Sequence, residues 1–211
     1  MTLEATITID EPRTTRDEIL DAAERLFSER GFAAVSMRDI VAETSLKNQA
    51  SLYHHFRSKR DLYEAVLSRG LDHIRSLVPQ SRTGSLQQLG ENLDRLLDYL
   101  SQHPHLARLV QRAALDDSRY LERAITGLLR PVYSQGRRAL EGADSIWEAD
   151  ELPHLAAGLY MLIFGYFANA PLLRAVVGDD PLGPEAVERQ RRFVKTAVAR
   201  LLGINGSEGG L

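Results

Sequence analysis

Cysteine is absent from this 211-residue chain, which excludes a disulfide framework and thiolate chemistry and suits a reducing compartment. Val, Ile and Thr form no sustained run that alternates at period two, which argues against a sheet protein, and an all-α fold is expected. Catalytic patterns are missing as well. The sequence holds no Ser–His–Asp order, glycine-rich phosphate loop or metal-ligand spacing, so neither enzyme activity nor a cofactor or metal is expected. His103-Pro104-His105 comes nearest to a metal pair, but with proline between the histidines and no acid or cysteine beside them it reads as a loop. Residues 1–12 carry three acids and no base; they lack the parts of a signal peptide and read as a disordered tail, as does 204–211.

A long apolar run is also missing, on close reading. Leu152 to Leu173 is uncharged for 22 residues, but Pro153, His154, Asn169 and Pro171 interrupt it and no basic flank anchors it. A helix apolar all round between 155 and 168 is instead the core or the interface of a bundle, and no membrane partner is expected.

What the chain does have is helical periodicity. Ile19, Leu20, Ala23, Leu26 and Phe27 form one stripe of a helix over about Thr15–Arg30, which Gly31 closes. Ser58 caps a helix to about Leu77. The loop 79–85 is a linker, Leu86 to Leu100 a further stripe, and about 106–115 another helix. A long helix over roughly Ser118–Ala139 is kinked by Pro131. The apolar helix 152–177 has a candidate break at Pro171, and a last helix starts at Pro184 and stops at Gly203.

The stretch Ser36–Lys59 carries the functional signal. Ser36 with Asp39 makes a capping box that starts a short helix at Met37. A polar turn, Thr44 to Asn48, leads to a second short helix from Gln49 to Phe56, with Leu52 and Phe56 one turn apart on its inner face. Its outer faces hold Gln49, Ser51, Tyr53, His54 and His55. Lys47, Arg57, Lys59 and Arg60 add four cations between 47 and 60 without one acid. A short helix that is wet and cationic outside fits a DNA major groove better than a core. The net charge of −3 argues against unspecific coating of DNA and for binding at particular sites.

The stripe ending in Gly31-Phe32, the start Ser36-x-Arg38-Asp39-Ile40, Leu52-Tyr53-x-x-Phe56 and Ser58-Lys59 together resemble the DNA-binding domain of the tetracycline-repressor (TetR-type) family of bacterial transcription regulators, over Thr15 to about Leu67. The turn departs from the family pattern, with no glycine and one extra residue between Asp39 and Tyr53. Asn48 is either left-handed or a cap there, and Lys47, Asn48 and Gln49 all stay candidates for facing a base.

The resemblance implies a helix-turn-helix domain, here 13–57, and a helical effector-binding and dimerisation domain, 58–203. It also implies a cytoplasmic, nucleoid-associated repressor that binds a palindromic operator as a homodimer and is released by a small, mainly apolar effector. Tyr53 then offers its hydroxyl to a phosphate while its ring packs on the first helix. Lys59, at a helix start that it opposes electrostatically, is read as a phosphate ligand. Gln49, Ser51 and His54 are candidates for reading bases, Ser36 and Arg38 for phosphates, and Arg13 for the minor groove. For the effector pocket the candidates are Tyr99, His103, Arg112, Tyr133, Trp147, Tyr160, Met161, Phe164 and Phe167. For the dimer interface they are Val187, Phe193, Val194, Thr196, Ala197, Val198 and Leu201. The alternative is a helical adaptor that uses the 47–60 patch on an acidic protein partner.

Overall fold

Thr14 opens the first helix. In the computed structural model, which describes residues 14–77, 86–115, 126, 147–148 and 150–203, its Oγ1 accepts from the Asp17 N–H at 3.2 Å and donates to Asp17 Oδ2 at 2.6 Å. The Thr14 hydroxyl and the Thr14 N–H, both donating to the Asp17 carboxylate, hold its carboxyl below the usual carboxylate range. From this cap α1 runs over Thr15–Ala34 with the predicted stripe buried. It breaks at Gly31, where φ 81° and ψ 163° fall in a region essentially closed to residues with a Cβ. The predicted end of the helix is this break, beyond which one more turn follows.

Ser36 and Asp39 form the predicted capping box at the start of α2, Met37–Ala42. Next come α3, Gln49–His55, and α4, Lys59–Leu77, whose Asp61 N–H donates to Ser58 Oγ at 3.1 Å. On α4, Arg69 holds α1 by bonds to Asp21 at 2.7 Å and Glu24 at 2.9 Å. The body adds α5, Leu86–Gln102, and α6, Pro104–Leu115. It ends in α7, Leu152–Ala168, α8, Ala170–Val177, and α9, Pro184–Leu201. No strand occurs among the described residues. The apolar stretch 152–177 breaks at Asn169 rather than Pro171, with a bend of 70°. Pro171 sits in the first turn of α8, where its missing N–H removes no helix bond. Among the described residues, no single helix is long and apolar enough to cross a membrane.

One core joins α1 to α4 with α6: Ile19, Phe27, Ile40, Leu52, Leu62 and Leu67 are buried together with Leu106, Leu109 and Val110. A second core lies between α5, α7 and α9, around Leu97, Leu100, Phe167, Val194 and Val198. Helix α6 packs on both α1 and α7, so residues on either side of the predicted division at 57/58 share the first core. Across the second core, Arg191 on α9 reaches Asp94 at 3.1 Å and also Asp98, while Lys195 reaches Asp94 at 3.0 Å. The predicted linker 79–85, the kinked helix with Pro131 and Tyr133 apart from Thr126, Arg13 and both tails lie outside the described residues.

Candidate nucleic-acid interface

Helix α3 is held from its inner side by very little. Leu52 is its buried residue, and Phe56, just beyond its end, is the next anchor. What fixes the helix in register is the turn before it. Asn48 caps α3, its Oδ1 accepting from the Ser51 N–H at 3.0 Å, and its φ of −162° is extended, so the capping reading holds and the left-handed one does not.

Earlier in the turn, Glu18 of α1 accepts from the Ser45 N–H at 2.6 Å and from the Ser45 hydroxyl at 2.7 Å. The hydroxyl and the N–H together hold the Glu18 carboxyl below its usual range. Thr44 Oγ1 donates to Val41 O at 2.9 Å, and Arg25 of α1 pairs with Glu43 at 2.7 Å. Leu46 packs on the first core. Side chains from α1 thus supply the turn geometry that a glycine would otherwise give. Sequence reading missed Glu18 and Arg25 because each lies 18 or more residues from its partner.

With its register fixed, α3 presents Gln49, Tyr53, His54 and His55 to solvent, with Lys47 and Asn48 exposed beside them. Tyr53 is 50% exposed. Ser51 is half-buried, and its hydroxyl donates to Asn48 Oδ1 at 3.2 Å. Arg38 is exposed on α2. The Ser36 hydroxyl is engaged in its own cap, donating to Asp39 Oδ2 at 2.7 Å, and with the Ser36 N–H it lowers the Asp39 pKa.

Lys59 differs from its expectation. Its ammonium turns inward, donating to Phe32 O at 2.7 Å and Val35 O at 2.8 Å, and sits 4.3 Å from the centre of the Phe32 ring. The carbonyls after Gly31, which no basic residue of α1's own last turn meets, offset the unfavourable placement at the start of α4.

The residues proposed for a pocket do not converge. Tyr99 stacks between His73, centroids 4.1 Å apart, and the exposed His103, 4.4 Å away, and burial pushes its phenol up to about 12. Arg112 lies on α6 against α1, donating to Glu29 O at 3.0 Å. Trp147 bonds through its ring N–H to the Leu201 carbonyl at the end of α9, and Met161 is 60% exposed. Phe167 is closed into the second core. Tyr160 and Phe164 do lie together, half-buried and stacked at 5.1 Å beside the first core. Asn92 was not singled out; its Oδ1 is buried with no hydrogen-bond partner among the described residues.

The proposed dimer stripe divides in the same way. Val187, Val194 and Val198 are buried in the protomer, the last two in the second core, because the bundle needs one apolar stripe of α9 for itself. Phe193 and Thr196 are exposed, and Ala197 and Leu201 are partly so. His154, Ala157, Gly158 and Met161 are exposed on α7.

The family model described as "Bacterial regulatory proteins, tetR family" matches residues 19–66, the segment that builds this interface. Over 190 residues, covering 87% of each chain, the protein is 34% identical to the HTH-type transcriptional repressor Rv3405c of Mycobacterium tuberculosis. Its fold is similar to that of the transcriptional regulator SCO4942 of Streptomyces coelicolor, with a TM-score of 0.64 at 23% identity over 91% of this chain and 100% of that one. A TetR transcriptional regulator of Legionella pneumophila gives 0.61 at 22% identity, over 89% and 98%. With this relationship along most of its length, and an exposed polar helix set behind a clamped turn, the chain belongs to the TetR family of bacterial regulatory proteins, DNA-binding transcription regulators and not enzymes.

Proposed function

We propose that this chain is a cytoplasmic, homodimeric repressor that binds a palindromic operator through α3 and is released by a small, mainly apolar effector. The observation that carries the reading is α3 itself, clamped by α1 and Asn48 yet exposing Gln49, Tyr53 and His54 beside Lys47. Gln49, His54 and Asn48 read base edges; Ser51 serves chiefly to order the helix start. Tyr53, Arg38, Lys47 and the backbone around Ser36 meet phosphates, and Arg13 extends the contact from the chain before α1.

The dimer forms through the faces that the bundle leaves uncovered, Phe193, Thr196, Ala197 and Leu201 of α9 with Ala157, Gly158 and Met161 of α7. A two-fold axis there matches a palindrome. The effector contacts Tyr160 and Phe164, and Asn92 Oδ1, buried with no partner among the described residues, offers it an acceptor. Arg112 and His103 are set aside, since Arg112 is tied to α1 and His103 lies open on Tyr99. Repression is favoured by the naming of the Mycobacterium tuberculosis relative. A gel-shift titration on DNA upstream of the chain's own gene tests the reading. A discrete complex that Gln49→Ala weakens on some operator variants and not others supports it; no complex at low salt sinks it.

A further inference from the structure

The end of α1 gathers cations from two distant helices. Before the Gly31 break, Glu29 O accepts from Arg112 Nη2 of α6 at 3.0 Å. After it, Phe32 O and Val35 O accept from the Lys59 ammonium at the start of α4. The break itself requires glycine by its φ of 81°, and Arg112 is its close neighbour: a Cβ on Gly31 would stand 3.3 Å from Arg112 Nη1. The Phe32 ring under the Lys59 charge packs against Phe27 and Tyr63, with centroids 6.0 and 5.0 Å away. Val35, 1% exposed, leads directly into the Ser36 cap of α2. Whatever moves Glu29–Val35 therefore moves the start of α2, and with it the turn and α3.

We propose that Lys59 and Arg112 are positioning residues for DNA binding, bracketing the Gly31 hinge and setting how α2 and α3 are presented, with the Lys59 ammonium facing protein carbonyls rather than a phosphate. Charge-assisted bonds to carbonyls are among the stronger single contacts in a protein, and these act at the one point where α1 lacks helical restraint. Arg112 extends the bracket into the body, so a displacement of α6 reaches the hinge through one hydrogen bond. The inference rests on the reading of α3 as the DNA-contacting helix.

The test measures the affinity of the full chain, by fluorescence anisotropy, for a duplex that the wild type itself selects from a random pool. Salt is varied, and the temperature is one at which every variant is folded by circular dichroism. Lys59→Met is expected to weaken binding about tenfold at every salt concentration with the slope of log affinity against log salt unchanged. Lys59→Arg, which keeps a donor, recovers most of the loss. Lys47→Ala, the comparison, makes the slope shallower by about one counterion. A Lys59→Met slope that falls as Lys47→Ala does overturns the proposal in favour of a phosphate contact. Unchanged affinity with a lowered melting temperature overturns it in favour of a purely structural role. Arg112→Gln keeps the question decidable if Lys59→Met does not fold, with the same expectation of lost affinity at constant slope, and wild-type affinity in that variant refutes the bracket. A wild type that selects no duplex defeats instead the DNA-binding reading beneath it.

Discussion

Helices α3 and α7 both show the protomer only part of their surface, and they do so with opposite chemistry. Helix α3 buries Leu52 and leaves amide, phenol and imidazole groups in solvent beside a lysine. Helix α7 buries Leu155, Ile163 and Phe167 and leaves Ala157, Gly158 and Met161 uncovered. A polar exposed face next to cations is at home in water and has a polyanion as its natural partner. An apolar exposed face is not at home in water, and a second protein surface is what relieves it. The two faces therefore assign two partners to one chain, and each assignment can be broken separately.

The largest effect is expected from the single anchor of α3. Leu52→Ala removes a fully buried side chain and should cost about 2–5 kcal/mol in chemical denaturation, with DNA binding lost as α3 loosens. The partner change on α7, Met161→Ala, should leave protomer stability nearly unchanged. Next, Met161→Asp with Phe193→Asp is expected to shift sedimentation toward monomer while the helical spectrum is kept. Val194→Asp, at a fully buried position, should instead prevent folding, and equal solubility of the two would contradict the division of α9.

Gly70→Ala places a Cβ 2.3 Å from Leu106 Cδ1, where α4 meets α6. A loss of about 1–3 kcal/mol is expected from thermal melts, since Leu106 is itself enclosed. The smallest effect is on pH dependence. Burial holds the His105 imidazole, 3.1 Å from Ser28 Oγ, below its ordinary pKa of 6.5. The unfolded chain takes up that proton first, so stability is full above the unfolded value and declines as pH falls from there toward the folded one. His105→Gln should flatten melting temperature over this window, and an unchanged profile would dismiss the histidine as its source.

The helices were legible wherever a local rule decides them. The box at Ser36, the cap at Ser58, the stripe of α1 and the start at Pro184 all depend on residues within a turn or two of each other. The residues of α3 and its exposed face were legible for the same reason. What escaped is what depends on contacts across the fold. Glu18 on the turn, Arg112 on Glu29 and Lys59 on Phe32 and Val35 join residues 24 to 83 positions apart. The stripe on α9 was visible as apolar, but periodicity alone does not say whether a protomer or its copy covers a given residue, and Val194 and Val198 went to the protomer. Asn92 carried no motif; only its burial with no partner among the described residues draws attention to it.

The contrast between the two faces meets in one measurement: selection of duplex sites from a random pool by the wild-type chain, with the stoichiometry of the selected complex read by sedimentation. The account predicts an enriched palindrome whose half-sites repeat at about one helical turn or a multiple of it, bound by two chains or a multiple of two. The enrichment should disappear when Lys47→Ala, Gln49→Ala and Tyr53→Phe are combined. A pool that stays random under the wild type, or that the triple variant enriches equally well, would contradict the assignment of α3 to DNA.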